Sequence, residues 1–363
     1  MVNSHYVPQL ILRHFSSDDK IQYCDLNNRK VETRNIKNAF SKKGYYPDEI
    51  EKEMCYKTES QFANLLNNKL LNEKYRITLT RDELFILKKY LIITTIRFNC
   101  TEALTKFGNT DEAIKGYSKH FYDNINKVLA CDNSDELARY MAINPFEESK
   151  KVINGRLEEF NRLFVDIKNI MHSYIVFVNT HRCGESFIVP DTGFAYKATH
   201  LAMFTDTGEF DKCMYTLSCA AQTGNPYLFQ IALKLTPYDM FICPVSKDFA
   251  IMSLSVFYKF FNRKSDIYGL LSTEGLTVEK LLGFGDSNMV EPPKVKHYYG
   301  KPTKYEYNIQ QLSLNDVCFL NTIMINNAEH FFGFQNWADI RKSIDYYLSC
   351  PDNVRRYDMS FIK

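Results

Sequence analysis

The pattern of hydrophobic and polar positions divides the chain into three stretches of different period. Up to residue 57 the apolar groups are short. "KIQYCDL" and "KVETRNI" read as strands, and the "NNR" between them has the Asn-rich chemistry of a tight turn, so a hairpin is predicted. From 58 to 171 the period becomes helical. "TRDE" at residues 80–83 is a capping box, with Thr80 accepting from the backbone and Glu83 reaching back. It opens onto "LFILKKYLIITTIRF", residues 84–98, the most apolar window of the chain. That window carries Lys88, Lys89 and Arg97 and is too short to cross a bilayer, so it predicts a buried helix. Thr110 with Asp111 and Glu112 predicts another helix start. Ile153, Leu157, Phe160, Phe164, Ile167 and Met171 recur at spacings of four and three, the signature of one helix face against a core.

Beyond residue 171 the period shortens again. "YIVFVNT", "ESFIVPD", "YLFQIALKLTP" and "DMFICPVS" predict a four-stranded, mostly antiparallel sheet. Two closing helices are predicted, one from near Ser313 and one over "NWADIRKSIDYYLSC", while residues 283–307 read as a long loop or flap. The fold class is therefore α+β: an N-terminal turn and β-hairpin, a helical middle segment, and a mostly antiparallel sheet with C-terminal closing helices. The expected organisation is an arm and hairpin over 1–57, a helical region over 58–171, and sheet plus helices over 172–363, packed as one two-lobed unit.

Charge and cysteine usage narrow the setting. The formal charge of +2 over 363 residues supplies no global field toward nucleic acid or an anionic membrane, so any polyanion contact must be local. The opening "MVNSHYVPQL" lacks the basic start and apolar stretch of a signal peptide. Ten cysteines are scattered without a Cys-x-x-Cys pair, which favours free thiols over disulfides and speaks against structural zinc. A cytoplasmic protein with no membrane partner is expected. No Walker A loop, dinucleotide Gly-x-Gly-x-x-Gly fingerprint or Gly-x-Ser-x-Gly elbow is present, and His330 lacks a His-Glu-x-x-His setting.

The candidate chemistry begins in "NSHYVPQLILRHF", residues 3–15. Pro8 holds Val7 extended and can start a helix, which leaves His5 at a strand end where a rigid element could aim it into a cleft. A histidine suits general acid/base work near neutral pH, but it can equally bond a backbone group and lock the N-terminal arm. The segment His5, Tyr6, Val7, Pro8, followed by Leu12, Arg13 and Phe15, resembles the opening of a mainly microbial family catalogued as the domain of unknown function numbered 4238. "KTESQFANLL", with Glu59, is similar to that family's Glu-led helix, and "SFIVPDTGF" to its strand ending in an acidic turn, here at Asp191. "LKLTPYDMFICPV" and "LNTIMINNAEHFF" resemble its later strands and helix. Thr192-Gly193 departs from the usual Asn-Pro after the aspartate. The resemblance implies a shared fold and no particular activity.

Two function classes follow. The first is a hydrolase, a nuclease in a toxin or defence setting, with His5 as base or ligand, Glu59 and Asp191 as acidic partners, and Tyr6 and Arg13 near the substrate. His5, Glu59 and Asp191 could together hold a divalent metal such as Mg or Mn if they converge. Each acid has a plainer explanation, Glu59 in a first helical turn capped by Thr58 and Asp191 in an Asp-Thr-Gly turn. His-His-Val-Pro segments of ββα-metal nucleases are superficially similar, but the position before His5 is Ser4, and no histidine or well-placed Asn on a helix follows the hairpin. The second class is a non-catalytic binding or sensor module for a nucleic acid or protein partner. "NNRKVETRNIKNAFSKKGYY" carries Arg29, Lys30, Arg34, Lys37, Lys42 and Lys43. "PPKVKHYYGKPTKYEY" interleaves Lys294, Lys296, Lys301 and Lys304 with His297, Tyr298 and Tyr299, the mixture of cations and rings that single-stranded nucleic acid requires.

Overall fold

The computed structural model describes residues 3–43, 48–106, 123–142, 173–197, 240–254, 294–352 and 354–362, with single or short pieces at 167, 170–171, 219 and 222–224. The chain opens with β1 (Asn3–His5), α1 (Gln9–Leu12) and a 3-10 turn, Arg13–Phe15. The predicted hairpin follows as β2 (Lys20–Asp25) and β3 (Lys30–Asn35), antiparallel over their whole length. Its turn is tied by Asp25, whose carboxylate accepts from the Asn28 backbone and side-chain amides, both at 2.8 Å. A third strand, β4 (Ser41–Lys43), returns to pair with β1.

Helix α2 (Asp48–Met54) runs through a π-helical segment, Cys55–Glu59, into α3 (Ser60–Leu65). This continuity crosses the expected 57/58 boundary and corrects the reading of Glu59 as a first-turn residue capped by Thr58. The helix begins ten residues earlier, and Thr58 is buried inside it. The capping box is present as predicted: Glu83 accepts from the Thr80 backbone N–H at 2.7 Å, and Thr80 Oγ1 accepts from the Glu83 N–H at 3.2 Å. It joins β5 (Arg76–Thr80) to the long helix α4 (Arg81–Lys106), which is buried from Leu87 to Arg97 apart from half-buried Lys88. A short helix, α5 (Ser134–Met141), follows.

The antiparallel sheet is larger than the four strands expected. β6 (Tyr174–Asn179), β8 (Ala195–Lys197), β9 (Met240–Ser246) and β10 (Phe249–Leu254) join β5, β11 (Lys294–Tyr298) and β12 (Lys301–Gln311) in a seven-stranded sheet ordered β11-β12-β6-β10-β9-β8, with β5 on β12. Among the described residues every pairing is antiparallel except β12 with β6. "ESFIVPD" supplies only the short β7 (Val189–Pro190), and β7 belongs to a different sheet, ordered β3-β2-β13-β7. β13 (Phe331–Phe334) was not expected as a strand and lies between the N-terminal hairpin and β7. The predicted strand at 227–237 and helix start at 110–112, and all of the 153–171 stripe except Ile167 and Met171, lie outside the described residues.

The second correction concerns residues 283–307. The described part, from 294 on, is not a loop but a hairpin of β11 and β12. Tyr299 and Gly300 at its tip both have positive φ, 51° and 77°, the backbone of a type I′ hairpin turn. That turn usually announces itself as Asn-Gly or Asp-Gly, and a tyrosine there hides it. The two closing helices are α6 (Leu314–Asn327), with a capping box of Ser313 and Asp316, and α7 (Arg341–Ser349). β9 and β10 are buried at every position, and α6, buried from Asp316 to Ile325, packs on β8, β7 and α7.

Candidate functional site

The His-Tyr-Val-Pro segment is an extended strand followed by one turn of helix. Pro8 stands at the helix entrance with ψ 139°, as expected of a proline that cannot donate into the first turn. The arm packs inward. The Tyr6 backbone N–H donates to Phe40 at 3.0 Å, the Tyr6 ring meets the Phe40 ring edge-on at 6.1 Å, and Val7, Ile11, Leu12 and Phe15 are buried. His5 is itself buried. Its Nε2 lies 3.2 Å from the Ile36 carbonyl oxygen and 3.2 Å from the Gln9 side-chain nitrogen. Burial holds its imidazole below the ordinary histidine range, so the ring is neutral near pH 7.

Against the arm sits Arg97, the largest fully buried side chain among the described residues, at 1% exposure. Its Nη1 donates to the His5 carbonyl oxygen at 2.7 Å and to Glu51 at 3.0 Å, while Nε and Nη2 reach Glu59 Oε1 at 2.9 and 2.5 Å. One guanidinium thus ties three segments: the arm, α2 and the π-helical segment before α3. Cys55, an exposed residue, adjoins the cluster, its Sγ 3.5 Å from Glu59 and 3.8 Å from Glu51, two carboxylates that disfavour its thiolate.

The structure therefore joins His5 and Glu59 through Arg97, a residue that the sequence reading placed only inside an apolar helix. The signal was available: a charge in the middle of the most apolar window must be buried, and buried charges need partners. Asp191 serves elsewhere. Its carboxylate accepts from the backbone N–H groups of Glu329, His330 and Phe331 at 2.8, 2.7 and 3.0 Å, and its own N–H donates to the Phe331 carbonyl. Burial pushes its carboxyl up to about 6, although all three N–H groups favour the ionised form. It pins the entrance of β13 to the end of β7.

These groups do not fit a divalent metal. Glu51 and Glu59 already face a guanidinium, Asp191 is saturated by backbone donors, and among the described residues no group of three or more His, Cys, Asp or Glu side chains could hold an ion. Arg13 is exposed on the 3-10 turn, and Tyr6 is half-buried against Phe40.

The two basic stretches differ. In the N-terminal hairpin, Arg29 pairs with Asp358 at 2.6 Å, Lys30 pairs with Glu32 at 3.0 Å, and Arg34 pairs with the same Glu32 while lying 4.0 Å over the Tyr23 ring. These cations are engaged within the fold. On β11 and β12 the register sets Lys296 directly opposite Lys304 and Lys294 opposite Glu306, with Thr80 and Thr78 of β5 continuing the two rows. Side chains alternate along a strand, so Lys294, Lys296, Lys304, Glu306 and Arg76 project from one face. Glu306 records the surroundings. The Lys296 hydrogen bond, then the charges of Lys296, Arg76 and Lys294, hold its carboxyl below the usual range. The opposite face carries Ile77, Leu79, Tyr307 and Ile309, all buried. Lys294, Lys296, His297, Lys304 and Arg76 are exposed.

The profile of a family described as a protein of unknown function (DUF4238) matches residues 3–336. The chain belongs to this family. No curated protein and no solved structure matches it. The match begins at the arm and ends just beyond β13, so it spans both the Arg97 cluster and the basic hairpin of this DUF4238 member. Among the described residues no helix is long and apolar enough to cross a membrane.

Proposed function

We propose that the protein is a binding module that engages the phosphate backbone of a nucleic acid through the face shared by β5, β12 and β11, and that the His-Tyr-Val-Pro arm is a structural clasp. The observation that carries this reading is the pairing of Lys296 with Lys304 across adjacent strands. Like charges directly opposite one another destabilise a sheet, and the ion pair of Lys296 with Glu306 offsets only one of the two charges. Edge strands often carry lysine to prevent sheet-to-sheet aggregation, which would explain Lys294 and Lys296 on β11. It does not explain Lys304 on β12, the strand that β11 and β5 flank; Arg76 lies on β5, which pairs only with β12 among the described residues and is an edge as well. Three cations act on the one carboxylate, Lys296, Arg76 and Lys294, and Lys304 shares their face, which makes a local anion-binding field in a chain of nearly neutral net charge.

Location in a reducing cytoplasm is part of the same proposal, supported by eight described cysteines without a disulfide. The hydrolase reading, a nuclease of toxin or defence type with His5 as base, requires His5 Nε2 to exchange its contacts with Ile36 and Gln9 for a substrate. One experiment addresses both. Purified protein is titrated with labelled DNA and RNA over a range of salt, with and without Mg²⁺, beside Lys296→Gln, Lys304→Gln and His5→Ala. Binding is expected to weaken with salt, and each lysine substitution to reduce the log–log slope by roughly 0.7 to 0.9. Binding unaffected by either lysine substitution overturns the proposal. Cleavage by the wild type that disappears in His5→Ala would establish the nuclease in its place.

A further inference from the structure

We infer that the nucleic-acid site runs on from the β5–β12–β11 face, around the end of the seven-stranded sheet, to a second cationic patch in which Arg13 and Arg182 contact further phosphates of the same ligand. The inference rests on the polyanion-binding reading and adds the path and minimum length of the ligand.

Hydrogen bonds join the segments that carry this patch. β6 and β12 run parallel and end together, Asn179 beside Gln311. Both of those side chains donate to the Lys74 carbonyl oxygen, at 3.4 and 3.0 Å, which fixes the residues leading into β5 against the two strand ends. One residue beyond Asn179, the Thr180 backbone N–H donates to the Asp248 carbonyl in the turn between β9 and β10, at 3.0 Å. The neighbouring Lys247 N–H donates to the His14 carbonyl oxygen at 3.3 Å. Lys74, the turn after β6, the β9–β10 turn and the 3-10 turn of the arm therefore stand side by side at one end of the sheet.

Those segments hold cations that the fold does not pair. Arg13, Lys74, His181 and Arg182 are exposed, and Lys247 is half-buried. The acids beside them are Glu73 and Asp248, and Asp248 accepts from the Thr180 hydroxyl at 3.4 Å. Among the described residues no carboxylate pairs with Arg13, Arg182 or Lys247, whereas Arg29, Arg34, Arg81, Arg97 and Arg355 each hold one. The Arg13 turn is nonetheless firmly placed. Leu12 and Phe15 on either side are fully buried, and Gln335 Nε2 donates to the Ser16 carbonyl oxygen at 2.9 Å. A guanidinium on a fixed turn keeps its fork of N–H donors for an outside partner, and that fork matches the oxygens of a phosphate.

Arg76 links the two groups of cations, two residues after Lys74 and on the same face as Lys296 and Lys304. A β-strand rises about 3.4 Å per residue, so the Lys304 row and the Gln311 end of β12 are roughly 24 Å apart. Duplex DNA advances about 3.4 Å per base pair, so roughly seven base pairs cover that interval. A shorter ligand reaches one group only, whereas a longer one gains both as linked contacts within a single complex.

The test is fluorescence anisotropy of the full chain with labelled DNA and RNA, single-stranded and duplex, each about 20 nucleotides long, over a range of salt. The double variant Arg13→Gln with Arg182→Gln should weaken binding and lower the log–log slope by roughly 1.4 to 1.8. Arg139→Gln, the same charge change on exposed α5, should stay close to wild type, and melting temperatures should not move. Ultraviolet cross-linking of the wild type, with peptide mapping, should mark residues around 13 and 182 as well as β11 and β12. A double variant that behaves like Arg139→Gln, or cross-links confined to β11 and β12, overturns the inference and leaves the face reading standing. Binding that depends on Arg13 and Arg182 but not on Lys296 and Lys304 overturns the face reading and the path with it. If no nucleic acid binds, both fail.

Discussion

Arg97 donates to the backbone carbonyl of His5 across 92 residues of sequence, at 2.7 Å, while the same guanidinium neutralises Glu51 and Glu59. The ion pair is thus also a tether. Removing either sign leaves a buried charge without compensation, which is far costlier than losing the pair itself. Arg97→Met should lower unfolding stability by about 3 to 5 kcal/mol. Replacing Glu51 and Glu59 by Gln in that background should recover part of the loss. Urea unfolding checks both, and a loss under about 1 kcal/mol would show that the guanidinium holds little together.

His5 should contribute stability that depends on acid. Its folded pKa is held below 6.5 by burial, so on lowering pH the unfolded chain takes up the proton first. The contribution of neutral His5 is complete above the ordinary histidine value and declines as pH falls below it. Melting temperatures of wild type and His5→Gln, followed from about pH 8 to about pH 5, should converge toward the acid end. A constant difference would remove the titration from the account.

Asp191 should act with the opposite slope. Its carboxyl is raised from 3.8 to about 6, so between those values the folded protein holds a proton that the unfolded chain has released. Stability should therefore fall as pH rises through that window, by about 3 kcal/mol in all, and Asp191→Asn should lack this component. The readout is the difference between the two stability curves over the window. A parallel pair of curves contradicts the prediction.

Gly333 lies in β13 between β2 and β7, and a Cβ placed on it would meet Ile21 Cδ1 at 2.7 Å and Phe40 Cε2 at 3.0 Å. The Phe40 ring is backed by Tyr23, 5.1 Å away ring to ring. Gly333→Ala should cost about 1 to 3 kcal/mol through overpacking, read as a lowered denaturation midpoint. An unchanged midpoint would mean that the β2–β13 junction yields easily.

Local chemistry explains which elements could be read in advance. The Thr80–Glu83 box, the Ser313 cap and the β2–β3 hairpin each depend on a few neighbouring residues, and each stands where the pattern put it. β13 escaped notice because "FFGF" is short, contains a glycine and has no turn partner nearby. It becomes a strand only by receiving β2 from the far end of the chain and β7 from the middle. The alternation Lys304-Tyr305-Glu306-Tyr307-Asn308-Ile309 does carry a strand signal, but the Tyr299-Gly300 turn lacks the Asn-Gly or Asp-Gly that would mark a hairpin.

The candidate site follows the same division. Sequence alone determined the α+β class, the helix caps, the family opening at His5 to Pro8 and the two basic stretches, because these rest on residue type and short spacing. Tertiary structure alone decided that Arg97 joins His5 to Glu59, that Asp191 is held by the backbone of residues 329–331, that Arg29 of one basic stretch meets Asp358, and that the other stretch sets its cations on a common face with Lys296 paired to Glu306. The reason is physical. A charge declares its sign in the sequence, but its partner is set by which distant segments burial brings together, and that is a property of the packed chain.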